Sequence, residues 1–511
     1  MKGFIFKTIE FLEKKRFDIL GIFLFITIVS GIRMFLETKI FGYAPSKMSY
    51  YYIFYYYHFI SFYITVFIGS ILIMKWLTGE KLIKIANLAS IGFIIIWIAP
   101  IVDKYVFNYG RTYSYIPKDQ FFYFMLFLYP KIHGVAGAGL GIQFILILIL
   151  TTLYVYIKTS SILKSIGNLF LINSFTAFLS TPSINPLIEK LSLGTLSQPL
   201  YILRYTIISL ILIFLLMKIL RKGFLKSFLK SMGLIRAFHF ILMGLIGIAI
   251  AGMLKMHLNY ENAGNIGIFG ITIFTIFFLW EYAVMINNLY DIEIDKISKK
   301  ERITAKGFLS LKNIRDIAII FAIISIAFSF SLGIYQLILS IISIFLATIY
   351  SAPPLRLRNK IFSNSFIGIG SSICFSIGYM APRYIEVNGI TYRIYPTISP
   401  NSIWISILIF VALFAGSLVK DIDDYEGDLK SGVKNIFTIY GIEKGIKIAS
   451  VPVFISFLTP LLLIHAIYDF IILSGCGIIA TFLFNKMKKS KVVFLFYIIA
   501  IIYSILRYFN K

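Results

Sequence analysis

The chain has 511 residues, of which 59% are hydrophobic and only 14% carry a charge. Soluble globular chains average about 45–50% apolar and about 25% charged residues, so the composition excludes a soluble globular domain, a disordered protein and a disulfide-rich scaffold. Two cysteines, Cys374 and Cys476, are too few for a disulfide framework or a four-ligand zinc site. Since a spanning helix takes about 20 residues, the apolar content is enough for about 15 membrane spans.

The formal net charge is +26, from 49 basic and 23 acidic residues. In a soluble protein this excess would suggest a nucleic-acid partner. Here the basic residues cluster between apolar runs, and membrane proteins concentrate Lys and Arg in their cytoplasmic loops. We therefore interpret the charge as a marker of membrane sidedness and predict no nucleic-acid partner.

Apolar runs follow one another along the whole chain. The first six are 17–36, 51–74, 86–102, 135–157, 168–179 and 201–220. The run at 168–179 is short, and its length allows either a tilted span or a re-entrant segment. A stretch at 216–232 then carries five basic residues, so we predict a domain boundary there: an N-terminal transmembrane domain over 1–232, and a second domain over 233–511.

Nine further runs lie in the second domain. They are 234–254, 266–286, 314–332, 337–350, 361–380, 403–419, 448–467, 470–484 and 492–506. All the runs are continuous, whereas the strands of a membrane barrel alternate apolar and polar residues. Apart from closed barrels, only helices give every backbone polar group a hydrogen-bond partner within lipid. The sequence therefore predicts an all-α polytopic membrane protein, with about six helices preceding a bundle of nine.

Charge also predicts the orientation in the membrane. The N-terminus is basic, no signal peptide is evident, and we place this end in the cytoplasm of a multi-pass cell-membrane protein. Alternate loops then fall inside, at 291–312, 351–360, 420–447 and 485–491, and each is rich in Lys and Arg. The loops at 258–264 and 381–401 on the opposite side are poorer in charge.

Two acidic segments break the apolar pattern. Residues 287–295 read NNLYDIEID, and residues 420–428 read KDIDDYEGD. Together they hold eight of the 23 acidic residues, and each lies at the predicted cytoplasmic end of an apolar run. Acids at a membrane boundary are costly unless they pair or bind cations, so these segments are candidate functional sites.

The spacing of the acids sharpens this interpretation. Asn287, Asp291 and Asp295 are four residues apart and share one helix face, and Asp424 and Asp428 have the same spacing. Like charges at this spacing repel each other. Mg²⁺ favours one or two carboxylates together with phosphate oxygens, so two such segments on one membrane side indicate a Mg²⁺–diphosphate site. The alternative is a pair of solvated helix ends that form salt bridges to nearby Lys and Arg.

A third segment, at 350–358, reads YSAPPLRLR and lies between two runs. In their order and separation, the three segments resemble the signatures of the UbiA-type intramembrane prenyltransferases, which are N-x-x-x-D-x-x-x-D, Y-S-x-P-P-L-K and K-D-x-x-D-x-E-G-D-x-x-x-G. The resemblance covers about 233–511, and that family has nine transmembrane helices. The first 232 residues carry no motif that we recognise.

The chain departs from the family pattern at several positions. After the first motif it keeps Arg302 and Gly307 but has neither proline of the family's P-x-R-P-x-x-x-G. Arg356 stands where the third signature has Lys, and Asn435 stands where a Thr usually follows the second. The family's R-x-x-N in the first helix reads Arg236-Ala-Phe-His239 here. All the metal-binding carboxylates are kept, but the acceptor cannot be assigned by analogy.

The resemblance implies a Mg²⁺-dependent transfer of a polyprenyl group from an allylic diphosphate to a lipophilic acceptor, at an aromatic carbon or a hydroxyl. It implies that two Mg²⁺ ions are held by Asn287 and by the catalytic carboxylates Asp291, Asp295, Asp424 and Asp428. Diphosphate contacts are expected, besides Asn287, from Arg302, Arg356 and Lys420.

Other residues are candidates for the walls of the pocket. Tyr290, Tyr350 and Tyr425 would shield an allylic cation through their rings, although interfacial packing explains them equally well. Arg236 and His239 would face the acceptor, although a histidine that packs between helices is the alternative.

A transporter or lipid-binding membrane protein with an ion path along the acids is the competing function. Transporters place such charges near the middle of the membrane, between inverted repeats. Here the acids lie at span ends, and no internal repeat is visible. A third hypothesis is a fusion in which the first half transports or senses and the second half carries out the reaction.

Overall fold

The computed structural model describes residues 2–14, 16–40, 50–108, 115–126, 138–181, 198–253, 263–291, 303, 306–361, 363–387, 390–430 and 434–509. At some of these positions, among them 427 and 428, it describes the backbone but not the side chain. The chain divides into two compact units. The first unit comprises Met1–Leu229, Asn259–Ile271 and Gly307–Ile320; the second comprises Lys230–Leu258, Thr272–Lys306 and Phe321–Lys511.

The N-terminal part of the chain contains ten α-helices among its described residues. They are α1 (Lys2–Glu13), α2 (Ile19–Ile40), α3 (Tyr50–Thr78), α4 (Leu82–Gly92), α5 (Ile98–Tyr105), α6 (Phe121–Met125), α7 (Ala138–Thr159), α8 (Ile162–Ser180), α9 (Gln198–Leu220) and α10 (Phe224–Met232). A 3₁₀ turn, Phe93–Trp97, joins α4 to α5, so these two form one long apolar element.

Buried polar contacts connect the helices of the first unit. Glu13 is 4% exposed and accepts hydrogen bonds from Lys158 at 2.6 Å and from the Tyr154 hydroxyl at 3.0 Å, which ties α1 to α7. The buried Asp103 accepts the backbone N–H of Gly139 at 2.6 Å, at the first turn of α7. A carboxylate is well placed there because the N–H groups of a first helical turn have no partner within the helix.

The remaining described helices follow in chain order. They are α11 (Leu234–Met253), α12 (Ala263–Tyr290), α13 (Leu311–Leu332), α14 (Ile334–Ser351), α15 (Ser365–Tyr379), α16 (Pro400–Lys420), α17 (Tyr425–Lys430), α18 (Ile436–Leu458), α19 (Ile467–Met487) and α20 (Ser490–Phe509). The first residues of α12 and of α13 belong to the first unit, and the rest of both helices belongs to the second.

Fourteen helices within the described residues are long and apolar enough to span a membrane, and a fifteenth, Ser365–Tyr379, is apolar but shorter. Six of the fourteen begin before the basic stretch, and the remaining eight together with α15 overlap the nine predicted runs, although α18 begins at Ile436 and not at 448. The prediction of an all-α polytopic protein is confirmed. The run predicted as short, 168–179, belongs to the 19-residue helix α8, because Ser161 caps the N–H of Lys164 and starts the helix earlier.

One element was not predicted from the sequence. Two short antiparallel strands, β1 (Arg383–Val387) and β2 (Ile390–Ile394), form a hairpin within the loop predicted to lie outside. The signal was present, because Asn388-Gly389 between two alternating segments is a strong hairpin pattern. Arg383 and Arg393 donate to backbone carbonyls of Ile248 and Ser331, near the ends of α11 and α13, which anchors the hairpin on those helices.

Two helices of the second unit, α11 and α15, come into very close contact through glycines. A Cβ atom added at Gly378 would overlap the carbonyl oxygen of Gly244, and one added at Gly247 would overlap the carbonyl oxygen of Phe375. Small residues allow membrane helices to approach at backbone distance, where dispersion and weak polar contacts are strongest. This contact therefore fixes the register between α11 and α15.

Candidate active site

The first acidic motif is held by two arginines. The Arg358 guanidinium donates to Asn287 Oδ1 at 2.7 Å and also contacts Asp291 Oδ2. Arg356 Nη2 donates to Asp291 Oδ1 at 3.0 Å and to the backbone oxygen of Tyr290 at 3.3 Å. Since Asp291 is only 3% exposed, its carboxylate is largely removed from water and neutralised by these two cations.

The two arginines belong to the segment between α14 and α15. Arg356 has φ 41°, in the left-handed region that costs a non-glycine residue about 1–3 kcal/mol. Its side chain binds Asp291 and the Tyr290 carbonyl, and these bonds offset the strain. Desolvation lowers the pKa of the Arg358 guanidinium, but arginine titrates so far above neutrality that the group stays charged.

The second acidic motif begins where α16 ends. Asp421 Oδ2 accepts from Asn364 Nδ2 at 2.7 Å, and Asn364 Oδ1 accepts from Ser417 Oγ at 3.0 Å. Asn364 is 7% exposed and immediately precedes α15. A buried amide with both of its polar atoms engaged holds Asp421 in one orientation.

Other predicted residues of this motif are more exposed. Lys420 is the last residue of α16, and Asp424 lies in the turn before α17; both are exposed. The Asp423 carboxylate accepts from the Ser490 hydroxyl. The predicted site residues Asp295 and Arg302, and the side chain of Asp428, lie outside the part of the chain that the structure describes.

The segment 350–358 binds the first motif and packs against α15. At its start, the Tyr350 ring lies 5.3 Å from the ring of Phe366 in α15. At its other end, Arg356 and Arg358 bind the first motif. The segment therefore connects the first acidic motif to the start of α15, where Asn364 binds Asp421.

The remaining candidate pocket residues have different surroundings. His239 Nε2 lies 3.1 Å from Ser371 Oγ, whereas Arg236 on the same helix is exposed. Tyr290 is 41% exposed, and Tyr425 packs against the buried cluster that includes Val419. This position agrees with the alternative explanation for Tyr425, in which the ring packs against its neighbours and does not shield a cation.

Three residues of the site were missed in the sequence. Arg358 contacts the first motif, Asn364 positions Asp421, and Ser371 pairs with His239. A second arginine two residues after Arg356 was a visible signal for Arg358. No short pattern marks Asn364 or Ser371, because their partners are distant in sequence.

The donor atoms of the site suit a hard cation. Asn287 and Asp291 offer amide and carboxylate oxygens, the ligands that Mg²⁺ prefers. Among the residues that the structure describes, no three His, Cys, Asp or Glu side chains gather in a metal-binding group. The described oxygens fit Mg²⁺ in chemical type, and Asp291 would have to exchange an arginine contact for the ion.

Comparison with known proteins identifies the family. The model of the UbiA prenyltransferase family matches residues 240–504, which is more than half of the chain. The chain belongs to the UbiA prenyltransferase family. With fourteen apolar helices among its described residues, this family member is a multi-pass membrane protein.

Curated relatives match part of the family region. A digeranylgeranylglyceryl phosphate synthase of Saccharolobus solfataricus is 30% identical over 167 residues, 33% of this chain and 55% of that protein. A homogentisate phytyltransferase of Synechocystis sp. is 30% identical over 172 residues, 30% of this chain and 52% of that protein. The chain thus spans about half the length of the curated relatives that it matches.

Solved structures of UbiA proteins are also similar. A digeranylgeranylglyceryl phosphate synthase has a TM-score of 0.44 and 23% identity, covering 56% of this chain and 99% of its own. A UbiA homolog from Archaeoglobus fulgidus bound to DMAPP and Mg²⁺ has a TM-score of 0.40 and 17% identity, covering 55% and 99%.

Proposed function

We propose that this protein is a membrane-embedded, Mg²⁺-dependent prenyltransferase. It would move a polyprenyl group from an allylic prenyl diphosphate to a lipophilic acceptor, at an aromatic carbon or a hydroxyl, and release diphosphate. The observation that carries this proposal is the segment 350–358, whose two arginines bind Asn287 and Asp291. The names of the curated relatives, which are synthases and transferases of prenyl groups, support the same reaction.

The charges of the site suit a diphosphate. Arg356 and Arg358 neutralise the buried Asp291. Guanidinium groups bind phosphate oxygens in the same forked geometry as carboxylates. We propose that the arginines transfer to the diphosphate when it arrives, together with Arg302 and Lys420, which frees carboxylate oxygens for the metal.

We propose that Asn287, Asp291, Asp295, Asp424 and Asp428 hold Mg²⁺. Bound Mg²⁺ would neutralise the diphosphate and act as a Lewis acid on the leaving oxygen. The arginines stabilise the negative charge that develops on diphosphate as the allylic C–O bond breaks. The apolar helices provide a lipid-like surface for the prenyl tail, so donor and product both stay in the membrane.

The domain organisation and orientation are part of the proposal. We propose that residues 233–511 form the catalytic domain and that residues 1–232 form a separate transmembrane domain. We also propose that the protein lies in the cell membrane with both motif loops in the cytoplasm, since those loops carry the basic residues.

Release of labelled diphosphate from geranylgeranyl diphosphate by purified membranes tests the function. We expect release that needs both Mg²⁺ and an acceptor, and that is abolished in Asp291→Asn and in Asp424→Asn. The control is Glu443→Gln, which changes a side chain that is 85% exposed. Unchanged release in both Asp variants would contradict the enzyme hypothesis and favour the competing function, in which the acids line an ion path. Offering quinone-precursor aromatics, a prenylglyceryl phosphate and tetrapyrroles in parallel identifies the acceptor.

A further inference from the structure

A histidine and a serine meet between α11 and α15, two helices of the second unit. His239 Nε2 lies 3.1 Å from Ser371 Oγ, and Ser371 is fully buried. The glycine contact of Gly244 with Gly378 holds the two helices at a fixed distance. An ionisable side chain in a membrane-spanning helix is costly and is a candidate functional group by default.

Helix geometry relates the pair to the second acidic motif. On α15, Ser371 follows Asn364 by seven residues, which places it on the same helix face about 10 Å further along the axis. Asn364 binds Asp421, so one face of α15 leads from the second motif to the histidine.

An aromatic wall borders the imidazole. The Phe240 ring contacts the His239 ring edge-to-face at 5.1 Å and stacks on Trp280 at 4.9 Å. Arg236, one turn earlier on α11, is always protonated and cannot accept a proton. A neutral imidazole, by contrast, keeps one basic lone pair.

We propose that His239 is the base that accepts the proton of a hydroxyl acceptor, and that Ser371 is the positioning residue that orients its ring. This inference rests on the proposed prenyl transfer. The allylic C–O bond breaks and its electron pair leaves on diphosphate, while the acceptor oxygen forms the new bond to the allylic carbon. The proton of the hydroxyl passes to the imidazole and then to water. With Nε2–H donating to Ser371 Oγ, the Nδ1 lone pair is the one that takes the proton.

The test uses the full-length purified protein with labelled geranylgeranyl diphosphate as donor and a geranylgeranylglyceryl phosphate as acceptor. We expect His239→Ala and His239→Gln to lower kcat for transfer by about 10²–10⁴-fold, the usual contribution of a general base. Donor Kd and thermal stability should stay unchanged, and added imidazole should restore part of the rate of His239→Ala. Ser371→Ala should lower kcat by about tenfold, since it removes only the orienting hydrogen bond, with KM for the acceptor unchanged.

Matched controls exist in the same unit. His465→Gln removes an exposed histidine that contacts the Leu461 carbonyl, and Ser376→Ala removes a hydroxyl on α15 that donates to the Ser372 carbonyl of the same helix. Both should transfer at the unmodified rate. Full transfer in both His239 variants overturns the proposal, and so does a loss of rate that is accompanied by loss of donor binding and is not rescued by imidazole. If the unmodified protein itself neither binds the donor nor releases diphosphate, then the proposed function has failed and not this inference alone.

Discussion

Arg358 donates to Asn287 at 2.7 Å, and the same guanidinium contacts Asp291, which directly follows α12 and lies about one helical turn beyond Asn287. A single arginine thus bridges Asn287 and Asp291 of the first acidic motif. The prediction that these residues share a helix face agrees with this contact. The contact also shows how a neighbouring cation stabilises the buried carboxylate.

Arg358→Ala should weaken the binding of the donor more than Arg358→Lys does. Alanine removes the charge, whereas lysine keeps a point charge without the forked geometry. We expect donor Kd to rise about 10–100-fold in Arg358→Ala, equivalent to the loss of about 1.5–3 kcal/mol from a hydrogen bond to a charged group. Titration with labelled geranylgeranyl diphosphate measures it, and Lys491→Ala, at an exposed position, is the control. Equal donor affinity in the two Arg358 variants would show that the positive charge at this position does not contribute to donor binding.

Asn364→Asp should be more harmful than Asn364→Ala. Alanine removes the 2.7 Å hydrogen bond to Asp421, which costs about 1–3 kcal/mol if the buried partner finds no other donor. Aspartate adds a like charge at the same distance, which repels the Asp421 carboxylate. The measurement is diphosphate release together with thermal unfolding, and Asn485→Ala, an exposed residue of α19, is the control. An Asn364→Asp variant that is as active as the unmodified chain would exclude a role in orienting Asp421.

Gly378→Ala should disrupt the contact of α11 with α15. The added methyl group overlaps the Gly244 carbonyl oxygen, and overpacking of this kind costs about 1–3 kcal/mol. Gly475→Ala is the matched control, because a Cβ there meets no described atom within 4 Å. Thermal unfolding in detergent should therefore separate the two variants. Transfer activity should fall only in Gly378→Ala, since that change also separates His239 from Ser371.

Glu281→Gln and Glu281→Met should stabilise the protein. Glu281 lies in α12, is fully buried, and neither of its carboxyl oxygens has a hydrogen-bond partner among the described residues. An unsatisfied buried polar group costs about 1–3 kcal/mol, so replacing it should raise the apparent Tm. Glu443→Gln, at an exposed position, should leave the Tm unchanged. A lower Tm in both Glu281 variants would show that the carboxyl group makes a stabilising contact.

Much of the fold could be predicted from local pattern. Continuous apolar runs predicted the helices, because lipid admits few other backbone structures. The prediction differed from the structure at the start of α8 and at the hairpin, and in both places a local signal in the sequence was overlooked. Ser161 extends α8 beyond the apolar core of its run, and Asn388-Gly389 marks the hairpin that the composition did not reveal. Asn435, a departure from the family pattern, still caps α18 by accepting the N–H groups of Phe437 and Thr438.

The candidate site was predictable only in part. The carboxylates are visible in the sequence because acids are scarce in this chain and their spacing of four residues follows the helix. Their partners are not visible in the same way. Asn364 lies 57 positions from Asp421, and His239 lies 132 positions from Ser371, so no helical or strand period connects them.

The sequence by itself determined the membrane environment, the helical class and the residues that carry the acidic charge, because each depends on composition or on spacing within one helix. Only the tertiary structure decided which groups meet: the arginines of the loop 350–358 on the first motif, Asn364 on Asp421, and Ser371 on His239. The physical reason is that these contacts join different helices. Their geometry depends on helix packing, such as the glycine contact of α11 with α15, and not on distance along the chain.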